Sequence, residues 1–382
     1  MQINTLMYYF DHAAGQPPNP EICDFYRSQL LENFANPNAP YRMARQLSNQ
    51  LEIIRSDIKK MIEADEADSL IFTSSATESN NLLIKGLFEK NTACMAVSLA
   101  EHPSLIKPLL DWSLESRNLK HKANYQLDES DLKNALDTCD LICLSHINNH
   151  TGILQELKVD DVLNKKAHIH WDLSQSFGKK SFSVKESVAD SATLSGHKFG
   201  VPKGIGVLWL RHGITLNPLF QGGDQDTSMR SSTINFPLIS TFHFAAMKIN
   251  EQLEDDWSFF KKIQKEMIQE LQAIQPEIRV PFESETSSPY ITTLIVPGPS
   301  SDVLMRLLDE QGVVVSTHSA CSSRIKKENG VMAHLGFSKE EQQQIIRISF
   351  SRQTTREEVF FLIQKWKEIQ STLNLFKKGY KK

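Results

Sequence analysis

From Leu70 to Leu210 the chain repeats one pattern: a short apolar run, a cluster of small or polar residues, then a helical stretch. The runs are Leu70-Ile71-Phe72, Ala96 to Leu99, Leu141 to Ser145, His168 to Asp172 and Ala192 to Leu194, with a further strand after Gly204-Ile205-Gly206. Strands that alternate with helices connect through right-handed crossovers, so the pattern predicts a largely parallel sheet covered by helices, an α/β fold. Ahead of it, a short strand at Tyr8 to Phe10 leads into a Pro/Gly loop, and helices are expected over about Pro20 to Asn33 and Met43 to Ala64. A short helix is expected from Val159 to Lys165.

After Gly222 the pattern changes. Two long helical stretches, Phe236 to Glu254 and Trp257 to Ile274, precede strands near Tyr290 to Val296, Val313 to Ser316 and Ile345 to Ser349. Helices near Asp302 to Glu310 and Thr355 to Leu373 complete a smaller α+β layer. The expected division is a large domain over 11–245 and a small C-terminal domain over 246–375, with 1–10 packing on the latter. The basic tail Phe376 to Lys382 is expected to fray.

The 382 residues suffice for two domains with substantial cores. A net charge of -4 argues against bulk nucleic-acid binding, which wants a basic face. No stretch reaches the roughly 20 apolar residues of a membrane span, and no secretory signal is read at Met1 to Thr5. Five scattered cysteines fit a reducing compartment, so the expectation is cytoplasmic.

In a parallel sheet, ligands collect at the carboxyl ends of the strands. Thr77, His102, Asn149, Asp172, Gln175 and Lys198 each stand at or just past such an end. Thr73 to Thr77 has two readings: small residues opening a helix can cradle a phosphate, or Ser75 or Thr77 simply caps it. Lys198, in Ser195-Gly196-His197-Lys198 at a strand tip, suits an amine that bonds to a carbonyl. His168, His170 and Asp172 fall on one face of a strand and could ligate a metal, but Asp172 has a better use and no metal is expected. Cys321 lies in a polar, partly basic loop that favours a thiolate, whereas Cys143 sits in an apolar strand as a core residue.

These strings resemble, in order and spacing, the class V aminotransferase family of pyridoxal-phosphate enzymes, and within it the cysteine desulfurases of the NifS/IscS type. The matching residues are Ala76-Thr77-Glu78-Ser79-Asn80-Asn81, Glu101-His102, Asn148-Asn149, Asp172 with Gln175, Gly178-Lys179, Ser195 to Lys198, Gly204 to Gly206, Met229-Arg230-Ser231 with Thr233, Ser319-Ala320-Cys321 and Ile346 to Ser349. The resemblance implies pyridoxal-phosphate fold type I, with a mostly parallel sheet in the large domain. It implies pyridoxal 5'-phosphate held covalently by Lys198, its phosphate by Ala76, Thr77, Ser195, His197 and, from the other subunit of a homodimer, Thr233. Asp172 would pair with the ring nitrogen, Gln175 and Asn149 would lie at the phenolic oxygen, and His102 would stack on the ring and move protons. Arg347, with Asn149, would bind the substrate carboxylate. Cys321 would take sulfur from L-cysteine as a persulfide and pass it to an acceptor protein.

The sequence departs from the family pattern at His12 to Gly15, Asn36 to Tyr41, His150, Ser232 and His318. The implied activity is cysteine desulfurase. A selenocysteine lyase or another class V lyase or transaminase, and a catalytically weak paralogue kept as an interaction subunit, are the alternatives. The acceptor is left open between an iron–sulfur cluster scaffold, a tRNA-thiolation relay, a DNA-sulfur system and a cofactor pathway.

Overall fold

The computed structural model describes residues 7–157, 165–223, 228–250, 252–282, 285, 287–317 and 330–379. The chain divides into two compact units. The larger comprises Gln16–Ile147 and Gln155–Leu253, and the smaller Met1–Gly15, Asn148–Leu154 and Glu254–Lys382. Residues 11–15 and 148–154 thus fall in the smaller unit, and 246–253 in the larger.

The larger unit is built on β2 (Ser69–Thr73), β3 (Cys94–Val97), β4 (Glu115–Asn118), β5 (Leu141–Ser145), β6 (His168–Asp172), β7 (Ser191–Ser195) and β8 (Gly206–Leu210). Their order across the sheet is β2-β8-β7-β6-β5-β3-β4. β8 runs antiparallel to both neighbours, and the remaining pairings are parallel. β8 is antiparallel because the short turn from Lys198 to Ile205 returns the chain at once, with no helix to carry a crossover. Helices α1 (Pro20–Glu32), α2 (Arg42–Met61), α3 (Ala76–Leu87), α4 (Pro103–Trp112), α5 (Glu129–Thr138) and α6 (Phe236–Asn250) accompany the sheet.

The core explains the sequence pattern. β5 and β7 are buried at all five positions, which is why they read as continuous rather than alternating runs. Trp171 and Trp209 are fully buried, and Trp209 satisfies its indole N–H on Asp68 Oδ2 at 3.1 Å. α2 buries Leu47, Leu51, Ile54 and Ile58 at helical spacing. The expected helix Val159 to Lys165 falls almost wholly on residues 158–164, outside the described residues.

In the smaller unit, β9 (Ile291–Ile295), β11 (Ser316–Thr317) and β12 (Ile345–Ser349) form an antiparallel sheet in the order β11-β12-β9. β1 (Tyr8–Tyr9) pairs in parallel with β10 (Val313–Val314). The strand expected at Val313 to Ser316 is therefore two: Val314 faces β1, Val315 breaks the ladder, and Ser316 pairs with Arg347. Phe10 N–H donates to the Val314 carbonyl and the Phe10 carbonyl accepts from Ser349 N–H, so the N-terminal segment is laced between these strands. Most of α7 (Leu253–Ile274), with α8 (Ser301–Glu310), α9 (Val331–His334), α10 (Lys339–Gln342) and α11 (Arg356–Gly379), completes the unit. α11 runs to Gly379, so the tail expected from Phe376 is helical as far as Gly379, and 380–382 lie outside the described residues.

Two contacts pin the sheet edge that concerns function. Gly206 opens β8 between Thr73 and Ser195. A Cβ there would lie 2.4 Å from the Ser75 carbonyl carbon and 2.7 Å from the Ala76 nitrogen. Only glycine lets the strand approach the start of α3 this closely. Gly206→Ala should therefore cost about 1–3 kcal/mol, read as a lowered denaturant midpoint; an unchanged midpoint would show that the turn is not packed against the strand.

Glu101 supplies the second contact. It is buried, Ser145 N–H donates to Oε1 at 3.1 Å, and the Ser145 hydroxyl donates to Oε2. Burial pushes its carboxyl up to about 7, against the two Ser145 bonds that favour the charge, and the nearby Asp172 charge adds to the rise. The folded chain thus holds a proton that the unfolded chain, near 4.5, gives up. The resulting stability is complete below 4.5 and is lost as pH rises through 7. Glu101→Gln lacks this dependence, so wild type should lose on the order of 3 kcal/mol relative to it across that window. Denaturant titrations at several pH values measure the difference, and a flat one would contradict the burial account.

Candidate active site

At the end of β2 the chain turns through Ser74 and Ser75 into α3. Ser75 caps the helix, its side chain accepting from Glu78 N–H at 3.2 Å. That answers the capping question in favour of Ser75, and the two readings turn out to be compatible. The N–H groups of the first helical residues, Ala76 and Thr77, have no acceptor within the helix, and with the helix dipole they form an anion-binding terminus. Thr77 is exposed and Ala76 half-buried. Glu78 in the same turn pairs with Arg230 Nε at 3.0 Å, and its carboxyl stays below its usual range because Arg230 and Ser74 outweigh the burial that would raise it. The pair ties the segment carrying Thr233 to the start of α3; Thr233 itself is exposed.

β7 ends at Ser195, and Gly196–Lys198 makes a single 3-10 turn. A Cβ on Gly196 would lie 2.7 Å from Ile205 Cγ2, so the turn is wound as tightly as its packing allows. Gln16 clamps it from outside: its N–H donates to the His197 carbonyl at 3.0 Å and its side-chain amide to the Lys198 carbonyl at 2.5 Å. Gln16 was not singled out from the sequence, where it lies in a Pro/Gly loop far from Lys198. Ser195 Oγ and His197 Nδ1 are 3.1 Å apart. His197 is pulled down to about 4 by burial and then by the positive charges of Lys198, Lys203, His102 and Lys179. The field that discourages a further proton there favours an anion.

Asp172 ends β6 and is 5 % exposed. Each carboxylate oxygen accepts from a donor: Ser174 N–H reaches Oδ1 at 2.8 Å and Asn80 Nδ2 reaches Oδ2 at 2.9 Å. His102 caps α4, with Nδ1 accepting from Ser104 N–H at 3.1 Å. Part of His102 is open to solvent, yet the protein around the ring lowers its pKa chiefly by desolvation; Asp172 opposes this and Lys198 adds to it. Gln175 is buried one turn past Asp172 and accepts from the buried Lys179 Nζ at 3.3 Å. His168 and His170 are engaged otherwise than as metal ligands: both bond to Ser191 Oγ, at 2.7 and 2.8 Å, and His170 Nε2 also meets Asn80 Oδ1 at 3.1 Å.

Thus Ala76, Thr77, His102, Asp172, Gln175, Ser195, His197 and Lys198 all belong to the sheet unit, and all lie where strands of that sheet end. Asn149 and Arg347 belong to the smaller unit. There Arg347, on β12, bonds the Asn149 carbonyl through Nη1 at 2.9 Å and Asp11 Oδ1 through Nη2 at 2.6 Å. Its Nε is buried and has no hydrogen-bond partner among the described residues. The loop from Asn148 is stapled to β9: Gly152, at φ +74, accepts from Ser288 N–H at 2.8 Å, and a Cβ on it would lie 2.8 Å from the Ile291 carbonyl oxygen. Cys321, with His318, lies outside the described residues. Cys143 is fully buried, and burial pushes its thiol well above the ordinary range.

The donor set fits pyridoxal 5'-phosphate in each part: free N–H groups and positive charges for a phosphate, a buried carboxylate for a pyridinium N–H, and a lysine amine for an aldehyde. The cysteine desulfurase IscS 1 of Archaeoglobus fulgidus is 28% identical over 94% of this chain and 95% of its own length. The cysteine desulfurase IscS of Rickettsia typhi is 30% identical over 94% of this chain and 90% of its own. Among solved structures, a NifS-like protein superposes with a TM-score of 0.87 at 26% identity, covering 96% of this chain and 100% of that one. SspA, solved in complex with cysteine, superposes at 0.75 with 26% identity, over 91% of this chain and 100% of that one. The sequence profile of the aminotransferase class-V family matches residues 8–362, and the chain belongs to that family.

Proposed function

We propose that the chain is a pyridoxal-phosphate-dependent cysteine desulfurase that removes sulfur from L-cysteine, leaves it on Cys321 as a persulfide, and releases L-alanine. The observation that carries this reading is the buried Asp172 carboxylate on the same sheet edge as Lys198 and the open α3 terminus. The named relatives supply the choice of substrate.

The Ala76 and Thr77 N–H groups, the Ser195 hydroxyl and His197 hold the phosphate. Asp172 would receive the ring N–H, and Gln175, whose side-chain oxygen accepts from Lys179, would lie at the phenolic oxygen. When bound, pyridoxal phosphate supplies an aldehyde that amines attack and a ring that stores the electron pair left at the substrate Cα. With the cofactor bound, Lys198 Nζ would accept the substrate's α-proton, and His102 would lie at the ring and hold or move a proton. Arg347 receives the substrate carboxylate; Asp11 holds the guanidinium ready and Nε keeps a donor to spare. The Cys321 thiolate then forms a bond to the substrate sulfur as the Cβ–S bond breaks. Cysteine and the enzyme thiol thereby become alanine and an enzyme persulfide, with no outside oxidant.

The active unit is a homodimer in which Thr233 reaches the phosphate of the partner subunit. The sulfur acceptor is a second protein. No described helix is long and apolar enough to cross a membrane, and the working compartment in this reading is the cytoplasm.

Two substitutions test the reading. Borohydride treatment of the yellow wild type should fix the cofactor to the peptide containing Lys198, and Lys198→Ala should lose that adduct; an adduct on another lysine would reassign the site. Cys321→Ser should keep the cofactor's absorbance and its response to L-cysteine, while sulfide release under reductant falls to background. Full sulfide release by that variant would move the function to a lyase that needs no enzyme persulfide.

A further inference from the structure

Asn80 is completely buried; it bonds Asp172 directly and reaches His102 only through Ser104. Its Nδ2 lies 2.9 Å from Asp172 Oδ2 and 2.9 Å from Ser104 Oγ. An amide oxygen cannot face a carboxylate at that distance, so Asp172 dictates which way the amide is turned. Both Nδ2 hydrogens are then spent, one on Asp172 and one on Ser104. Oδ1 faces the other way and accepts from His170 Nε2–H at 3.1 Å. Behind it the same logic continues: His170 Nδ1 must accept from Ser191 Oγ–H at 2.8 Å, and Ser191 Oγ accepts from His168 Nε2–H at 2.7 Å. Burial holds His170 neutral, with its pKa at about 3, as this scheme requires. Every donor along the row points toward Asp172.

On its other side Asn80 makes the Ser104 hydroxyl an acceptor, so the hydroxyl's own hydrogen is free to donate. It stands 2.8 Å from His102 Nδ1, the same atom that accepts from Ser104 N–H at 3.1 Å. A nitrogen that accepts cannot carry the proton.

We infer that Asn80 is a positioning residue that, by turning the Ser104 hydroxyl toward His102 Nδ1, reinforces the Ser104 N–H in holding His102 as the Nε2–H tautomer, while it orients the Asp172 carboxylate with its second hydrogen. His102 can then give or take a proton only at Nε2, on the ring side turned away from α4. The inference lends itself to the proposed function by assigning the proton-carrying atom of His102, but the tautomer itself does not depend on which substrate the enzyme takes. Its sequence signal was present as the first asparagine of Ala76 to Asn81, without any indication of what the side chain bonds.

Nitrogen-15 NMR of the full chain labelled at histidine, as purified and at about pH 8, where imidazole is neutral, reads the tautomer directly; the His102 signals are assigned by their loss in His102→Gln. Wild type should show Nε2–H, and an Nδ1–H ring would overturn the inference without any variant. In Asn80→Leu the Ser104 N–H still asks Nδ1 to accept, but the Ser104 hydroxyl regains the freedom to accept from Nδ1–H, so the share of that tautomer should rise about fivefold over wild type, the ratio one net hydrogen bond supports. Asn80→Leu combined with Ser104→Ala removes that acceptor and should restore Nε2–H. A merely structural Asn80 would leave the tautomer unmoved in the single variant, which also overturns the inference. Absorbance of the same samples reports bound cofactor: Nε2–H in a chain that cannot bind pyridoxal phosphate upholds Asn80 and refutes the proposed function, and bound cofactor over an Nδ1–H ring does the reverse.

Discussion

The arrangement of the sheet unit depends on keeping a carboxylate, Asp172, at the buried end of a central strand. A carboxylate taken out of water costs several kcal/mol unless each oxygen is met by a donor. The chain meets the cost with one donor from the loop just beyond β6 and one from α3, Ser174 N–H and the Asn80 amide. The second donor obliges α3 to pack where its residue 80 reaches β6. Packing α3 there brings its N-terminus to the same end of the sheet as Ser195 and Lys198. One helix placement thus sets the anion-binding terminus beside the carboxylate and at the end of the sheet where the lysine stands.

Two glycines make that placement possible. Gly206 lets β8 pass beneath the start of α3 with backbone against backbone, and Gly196 lets the Lys198 turn close over Ile205. Gln16 then fixes the turn from a distant part of the chain. In the smaller unit, Arg347 is held by Asp11 and by the Asn149 carbonyl, so segments far apart in sequence set one guanidinium. These contacts restrict rotamers before any ligand arrives, which lowers the ordering cost of binding.

Much of this was legible in the sequence, for physical reasons. Strands buried on both faces, such as Leu141 to Ser145 and Ile345 to Ser349, announce themselves as short apolar runs, and both stand where expected. β4 was missed because Glu115-Ser116-Arg117-Asn118 is a mostly exposed edge strand with no apolar pattern. The break at Val315 was missed because hydrophobicity continues across it while the pairing partner changes from β1 to β12. Ser75, Asp172 and Lys198 could be picked out as polar residues at strand ends. Asn80 and Gln16 could not, since their work is to bond residues dozens to hundreds of positions away, and no local spacing encodes that; Ser104 could not because its part depends on its bond to Asn80. Alternation puts His168 and His170 on one face, and the sequence set aside a metal there because Asp172 had a better use; what it could not show is the cross-strand Ser191 that engages their nitrogens.

The central claim is that sulfur passes to the enzyme before it passes to anything else. Quenched-flow mixing with sulfur-35 L-cysteine, without reductant or acceptor, measures this most directly. The account predicts that alanine and protein-bound label appear in equal amounts in the first turnover, and that the label stays with the chain on desalting and leaves when a thiol is added. Alanine formed with the label already free as sulfide in that first turnover would contradict it.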